Sequence, residues 1–275
     1  MASGTVVVTG ASSGIGEASV RHLTQLGFEV RAGVRKQEDA ERLRSQGVKP
    51  LMLDVTDADS IAGARDQLGG RPLAGLVNNA GIAVSSPLEH VPIEGLRDQL
   101  EINLIGQIAV TQAFLPGLRA ARGRIVMVSS IGGRMALPLT GPYNASKFGL
   151  EGASDALRQE LRGAVEVILV EPGAVKTPIW GKGSAAADEL IASMPPEAER
   201  DYSDLIAGLR REVEKIETET GLDPAEVAKV IGQALTARRP HTRYLVGRDA
   251  KLRAFMSTVL PDRLLDALVA RQLKG

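Results

Sequence analysis

Tyr143 and Lys147 stand four residues apart in the stretch Gly141-Pro142-Tyr143-Asn144-Ala145-Ser146-Lys147. On a helix that spacing puts a phenol and an ammonium on one face, one turn apart. Such a pair can perform general acid–base chemistry. A free phenol ionises near 10, so working near neutrality requires a shift of about three units, roughly 4 kcal/mol. A cation about 4 Å away at an effective dielectric near 20 supplies roughly that much, and burial opposes it. The bland alternative is an exposed helix pair worth about 0.3 kcal/mol.

A second group lies near the start, in Thr9-Gly10-Ala11-Ser12-Ser13-Gly14-Ile15-Gly16. It follows a run of β-branched residues and opens a helical pattern. Glycines at 10, 14 and 16 allow a tight turn and close backbone approach, so free N–H groups and the positive helix end can face a pyrophosphate. An ordinary strand-to-helix turn reads the same way in isolation. The letters also spell the nucleophile elbow G-x-S-x-G at Gly10–Gly14. Only one strand precedes Ser12, however, and His241 is the sole late histidine, so a serine hydrolase is disfavoured.

These groups need a scaffold, and the pattern of the chain supplies one. Residues 5–9, 28–34, 48–53, 75–78, 124–129, 165–170 and 243–246 read as strands, alternating with helices over 14–26, 38–46, 57–68, 93–119, 142–162 and 224–238. The alternation predicts an α/β fold: a doubly wound parallel sheet covered by helices on both faces. One domain spanning 1–275 is expected, with 174–222 as an excursion over the sheet broken by glycines and Pro195-Pro196, and 248–275 as amphipathic C-terminal helices. Arg238 and Arg239 fit a basic last helical turn.

Composition narrows the field. The chain has 275 residues, with 33 basic and 33 acidic side chains. Such neutrality lacks the broad positive field that holds nucleic acid or anionic lipid. The absence of cysteine removes disulfides, thiolate metal sites and cysteine nucleophiles together. His22, His90 and His241 lack metal-ligand spacing, so no metal is expected. Neither a secretory leader nor a membrane-spanning apolar run is evident, and cytoplasmic residence is the expectation.

Taken together, the Gly10-Gly14-Gly16 turn, Asn78-Asn79-Ala80-Gly81, Ser130, and Tyr143 with Lys147 resemble the short-chain dehydrogenase/reductase family, its short single-domain branch, over about residues 5–178. A looser likeness links 241–273 and Thr177-Pro178-Ile179-Trp180 to the hydroxysteroid and retinol dehydrogenase group. The resemblance implies a Rossmann-like sheet of about seven strands in the order 3-2-1-4-5-6-7. It implies that Tyr143 gives or takes the proton while hydride moves between a substrate carbon and a nicotinamide. Lys147 would also hold the nicotinamide ribose, and the positive charge of the oxidised nicotinamide would help ionise the phenol. Ser130 would steady the substrate oxygen, and Asn103 would support a water linked to the lysine. Cofactor contacts would come from Gly10, Ser12, Ser13, Gly14, Ile15, Gly16, Asp54, Val55, Asn79, Ala80, Gly81, Pro172, Gly173, Val175 and Thr177. Asn78 would brace the central strand.

The end of the second strand bears on which dinucleotide is bound. It reads Gly33-Val34-Arg35-Lys36, with no carboxylate to pair the adenosine ribose hydroxyls. Arg35 instead offers a fork of donors suited to a 2′-phosphate, so NADP(H) is preferred over NAD(H). Ile131, Met135, Ala136, Leu137, Ile179, Trp180 and Met194 fall on substrate-facing loops, which favours a lipophilic ketone or alcohol; they could equally seal a lid against the protein. Small residues Gly149, Gly152, Ala153 and Ala156 on the tyrosine helix allow the close packing of a homodimer or homotetramer. The alternative that keeps the fold without catalysis is an NADP-binding sensor or scaffold.

Overall fold

The computed structural model describes residues 2–179, 188, 190, 191 and 194–274. Its centre is a seven-stranded sheet in the order β3-β2-β1-β4-β5-β6-β7, every pairing parallel. The strands are β1 Thr5–Val8, β2 Glu29–Val34, β3 Lys49–Met52, β4 Leu73–Asn78, β5 Arg124–Val128, β6 Glu166–Pro172 and β7 Arg243–Val246. Side chains alternate between the two faces. Val6 and Val8 pack in one cluster with Val20 and Leu23 of α1 (Gly14–Leu26) and with Val227 and Ile231 of α8 (Pro224–Thr236). Val7 points the other way, into a cluster with Ile61 of α3 (Ala58–Gln67), Phe114 of α5 (Gly106–Ala121) and Leu150 of α6 (Gly141–Glu160). Both faces are covered, which is why the strands read as continuous apolar runs. Truncating a fully buried leucine such as Leu23 or Leu76 to alanine costs about 2–5 kcal/mol.

The helix ends follow local chemistry. Gly27 stops α1 at φ 100°, its N–H returning to the carbonyls of Leu23 and Thr24. Asp57 starts α3, accepting from the N–H groups of Asp59 at 2.9 Å and Ser60 at 3.3 Å. Between α1 and α3, α2 spans Gln37–Ser45.

Three elements depart from the sequence pattern. The helix expected over 93–119 is broken into α4 (Ile93–Leu100), a π-helical turn at Glu101–Ile105, and α5. The break lies where Asn103 turns inward to the backbone of Ile82. The excursion at 174–222 contains the 20-residue α7 (Pro196–Lys215). Pro196 begins that helix rather than interrupting one, because a proline at the first helical position gives up no hydrogen bond. Helix α8 stops at Thr236, so Arg238 and Arg239 lie beyond it and are no basic last turn. Two helices close the chain, α9 (Arg248–Val259) and α10 (Asp262–Lys274).

Candidate active site

Strand order reverses between β1 and β4, and at such a switch point the loops leaving the carboxyl ends diverge and open a crevice. A cleft of about 420 Å³ occupies that place. The turn after β1 forms its floor. Gly10 takes φ +64°, and a Cβ there would lie 2.8 Å from the Cα of Ala80. Ser13 sits at the N-cap of α1, yet its hydroxyl makes no capping bond, which leaves the first N–H groups of the helix uncapped by it. Arg42 of α2 holds the outside of the turn, donating to the carbonyl of Ser12 at 2.6 Å and pairing with Glu17 at 3.1 Å.

Most residues expected to meet a dinucleotide line this one cleft: Gly10, Ser12, Ser13, Gly14, Ile15, Arg35, Asp54, Val55, Asn79, Ala80, Gly81, Pro172, Gly173, Val175 and Thr177. Gly16 is the exception. It packs behind the turn, where a Cβ would fall 2.1 Å from the carbonyl oxygen of Gly10, so it shapes the cradle without lining it. Arg35 is exposed at the rim and makes no hydrogen bond or ion pair among the described residues, whereas Lys36 pairs with Glu38 at 3.1 Å. Asp54 accepts from the N–H and hydroxyl of Thr56 at 3.0 and 2.8 Å, so one carboxylate oxygen starts the following turn. Asn79 donates to the carbonyls of Thr9 and Gly10 at 3.0 and 3.1 Å and clamps the glycine turn. Asn78 braces the centre of the sheet, donating to Thr111 at 2.8 Å.

At the other end of the cleft Ser130, Tyr143 and Lys147 come together. Ser130 follows β5 and caps the 3₁₀ turn Ile131–Gly133, accepting from the N–H of Gly132 at 3.0 Å. Lys147 is 5% exposed and donates from Nζ to the carbonyl of Val128 at 2.9 Å. Burial lowers its pKa from 10.5 to about 8, with Glu151 opposing the change. In the coenzyme-free chain burial opposes ionisation of the phenol, as the sequence reading anticipates. Burial raises the Tyr143 pKa above 10, and a hydrogen bond with Ser130 only partly offsets this. The Lys147 ammonium lies 5.8 Å from the ring centroid, and one of its three N–H groups is committed to a backbone carbonyl.

Asn103 also lines the cleft, but its amide is engaged with protein. It accepts from the N–H of Ile82 at 2.9 Å and donates to that residue's carbonyl at 3.0 Å and to Ser146 at 3.2 Å. It therefore ties the Gly81 segment to the helical turn between Tyr143 and Lys147. Of the apolar residues expected to face substrate, Ile179 lines the cleft, with Ile82 and Val84 added by the fold. Met135 and Leu137 instead pack with Leu205, Val269 and Leu273, sealing α7 and α10 against the loop, and Ile131 packs on Ala250 and Ala254. Trp180 lies outside the described residues. His241 stands edge-on to Tyr244 beside β7, giving Ser12 no base. Among the described residues no metal-binding cluster occurs, and no helix is long and apolar enough to cross a membrane.

Sequence reasoning missed the supports beneath these groups: Arg42, Glu151, Glu171, Arg243 and Asp249. Each acts through a partner remote in sequence, so no local pattern marks it.

Comparison with known proteins agrees with this geometry. The family described as short chain dehydrogenase matches residues 4–188. The NADPH-dependent 3-dehydrocapnine reductase of Ornithobacterium rhinotracheale is 37% identical over 281 residues, covering 98% of this chain and 96% of that protein. The 17-beta-hydroxysteroid dehydrogenase type 6 of Bos taurus is 38% identical over 280 residues, covering 97% of this chain and 87% of that one. A crystal structure of a short chain dehydrogenase from Burkholderia cenocepacia in complex with NADP superposes with a TM-score of 0.75 at 27% identity, covering 99% of this chain and 98% of that one. The chain belongs to the short-chain dehydrogenase/reductase family of oxidoreductases.

Proposed function

We propose that this protein is an NADP(H)-dependent oxidoreductase that interconverts a carbonyl and an alcohol on a lipophilic small molecule, with Tyr143 as the general acid and base. The observation that carries the reading is the convergence of Ser130, Tyr143 and Lys147 at one end of a cleft whose other end is a glycine turn under a helix N-terminus. The cradle suits a dinucleotide. Its turn leaves room for backbone approach, and the unpaired Arg35 suits a 2′-phosphate better than a bare ribose. NAD(H) remains a second, weaker coenzyme in this reading. When bound, the reduced nicotinamide supplies the hydride.

The residues around it divide the remaining work. In reduction the Tyr143 hydroxyl donates its proton to the substrate oxygen as negative charge develops there, and the Ser130 hydroxyl donates a second hydrogen bond to the same oxygen. The Lys147 ammonium stabilises the phenolate that results and holds the nicotinamide ribose. In oxidation the same groups run in reverse. Ile82, Val84 and Ile179 wall the site with apolar surface, which fits the hydroxysteroid activity in the bovine relative's name. Exposed Ile105 and Phe148, with open space over Gly152 of α6, support assembly with a second copy. Cytoplasmic residence completes the reading, supported by a chain without cysteine.

The test is oxidation of NADPH by the purified chain across a panel of lipophilic ketones and aldehydes, including steroids. Turnover of at least one class is expected. Tight NADPH binding without turnover of any carbonyl would overturn the catalytic reading in favour of a coenzyme-binding sensor.

A further inference from the structure

The segment that leaves β4 along the cleft, residues 80–86, belongs to no helix or strand, yet its backbone is pinned at alternate positions. Ala80 donates to the hydroxyl of Thr9 at 2.9 Å, and its carbonyl accepts from Gln107 at 2.8 Å. Ile82 is held by Asn103, and its carbonyl also accepts from the Gln99 amide at 2.9 Å. Val84 donates its N–H to Oε1 of Gln99 at 2.7 Å, and Ser86 donates to the carbonyl of Leu139 at 2.8 Å. Gln99, Asn103 and Gln107 are all fully buried.

The spacing has a geometric cause. The three amides stand four residues apart, on α4, the π-helical turn and α5, and four residues advance a helix by about 6 Å. Two residues of extended chain advance about 6.6 Å, so every fourth helical residue can meet every second residue of a chain running alongside. Four residues also overstep an α-helical turn by about 40°. The π-helical turn, closed by i→i+5 bonds, is wider, so the same step falls short of a turn there and the row stays on one side.

Gln99 differs from the other two amides. Asn103 itself lines the cleft and Gln107 reaches Ala80 at the coenzyme end, whereas Gln99 stands behind the lining and reaches only Ile82 and Val84, which do line it. Among the described residues Gln99 is the only hydrogen-bond partner of Val84. The bonds from Asn103 to Ser146 and from Ser86 to Leu139 bring this half of the segment beside the start of α6, which carries Tyr143.

We propose that Gln99 is a positioning residue that determines specificity: from behind the cleft it holds Ile82 and Val84 as the wall a lipophilic substrate packs against, and it takes no part in holding the coenzyme. The proposal rests on the reading of this end of the cleft as the substrate site. A buried N–H that loses its acceptor is costly, so without Gln99 the Val84 backbone must move to find another partner. The wall moves with it.

The test replaces Gln99 by methionine, which keeps the length and removes both bonds. In the coenzyme-free full chain, hydrogen exchange read by ¹⁵N NMR should be at least about tenfold faster at the Val84 amide, while the Ala80 amide, pinned by Thr9, changes by less than about threefold. With the ketone that the wild type reduces best, KM should rise about tenfold, kcat should change by less than about threefold, and the Kd for NADPH should stay within about twofold. Val84→Ala trims the same wall from the front, so the KM of the double variant should rise by less than the product of the two single effects. A merely structural role would weaken NADPH binding in parallel and leave the two effects independent. An unchanged Val84 exchange rate, an unchanged KM or a parallel loss of NADPH affinity would overturn the proposal. Should Gln99→Met not fold, Gln99→Asn, which keeps the amide and withdraws it by one methylene, decides by the same readouts. The exchange measurement needs no substrate: if the wild type turns over no ketone the proposed function falls, while the Val84 rate still decides whether Gln99 holds the wall.

Discussion

The carboxylate of Asp249 occupies the space where Gly173 has no side chain. A Cβ on Gly173 would lie 2.1 Å from Oδ2 of Asp249, and that same oxygen accepts the N–H of Ala174 at 2.9 Å. A residue of the first turn of α9 thereby fixes the loop that leaves β6 along the cleft. The hydrogen bond joins Ala174 to Asp249, 75 positions apart in the chain, and the approach of the carboxylate requires glycine at the neighbouring position 173.

Asp249→Ala should loosen this loop without touching the proton-transfer groups. A lost charge-assisted hydrogen bond is worth about 1.5–3 kcal/mol, so the coenzyme Kd should rise by roughly tenfold or more. Isothermal titration with NADPH checks it. Unchanged affinity would show that the loop holds its shape without the carboxylate.

Tyr143→Phe keeps the ring and deletes the proton donor. A positioned acid contributes about 10²–10⁴-fold, so kcat for carbonyl reduction should fall by that order while NADPH still binds. Single-turnover kinetics at saturating coenzyme measure the loss. A variant that retains more than about a tenth of wild-type kcat would remove the hydroxyl from the mechanism.

Lys147 couples activity to stability. Its pKa in the folded chain is lowered from 10.5 to about 8, so the unfolded chain binds the proton more tightly. The folded state is therefore penalised below pH about 8, and the penalty is relieved as pH rises through the folded value towards the unfolded one. Lys147→Met should raise the unfolding free energy of the coenzyme-free protein at pH 7 by about 1–3 kcal/mol while abolishing turnover. Urea titrations at pH 7 and pH 9.5 should show the advantage shrinking at the higher pH. A destabilised Met variant would contradict this account.

Arg35→Asp places a carboxylate at the end of β2, where it can pair a ribose and repels a phosphate. NADPH binding should weaken by roughly 10–100-fold and NADH binding far less. Parallel fluorescence titrations of the two coenzymes distinguish the outcomes. Equal losses would mean that Arg35 is a solvated loop cation.

Much of the site was legible because its chemistry is local. The spacing of Tyr143 and Lys147 within one helix, the glycines of the turn after β1, and the bare Arg35 at a strand end each follow from a few adjacent residues. Asn103 was read from the sequence as a site residue and lines the cleft, but the partners that hold its amide, Ile82 and Ser146, are 21 and 43 residues away and were not legible. Met135 and Leu137 looked like substrate contacts for the same reason: their partners Val269 and Leu273 come from the last helix.

What the amino-acid order settled by itself was periodicity: apolar runs that had to be strands, amphipathic stretches that had to be helices, and loops with the backbone freedom to receive phosphate. These depend on contacts within a turn or two of the chain. Tertiary structure alone decided the electrostatics. Lys147 is buried enough to lose part of its basicity, Glu151 opposes that loss, and Glu151 is itself paired with Arg243 on the edge strand β7. Burial and long-range charge are sums over the whole folded neighbourhood, and no local spacing encodes such a sum.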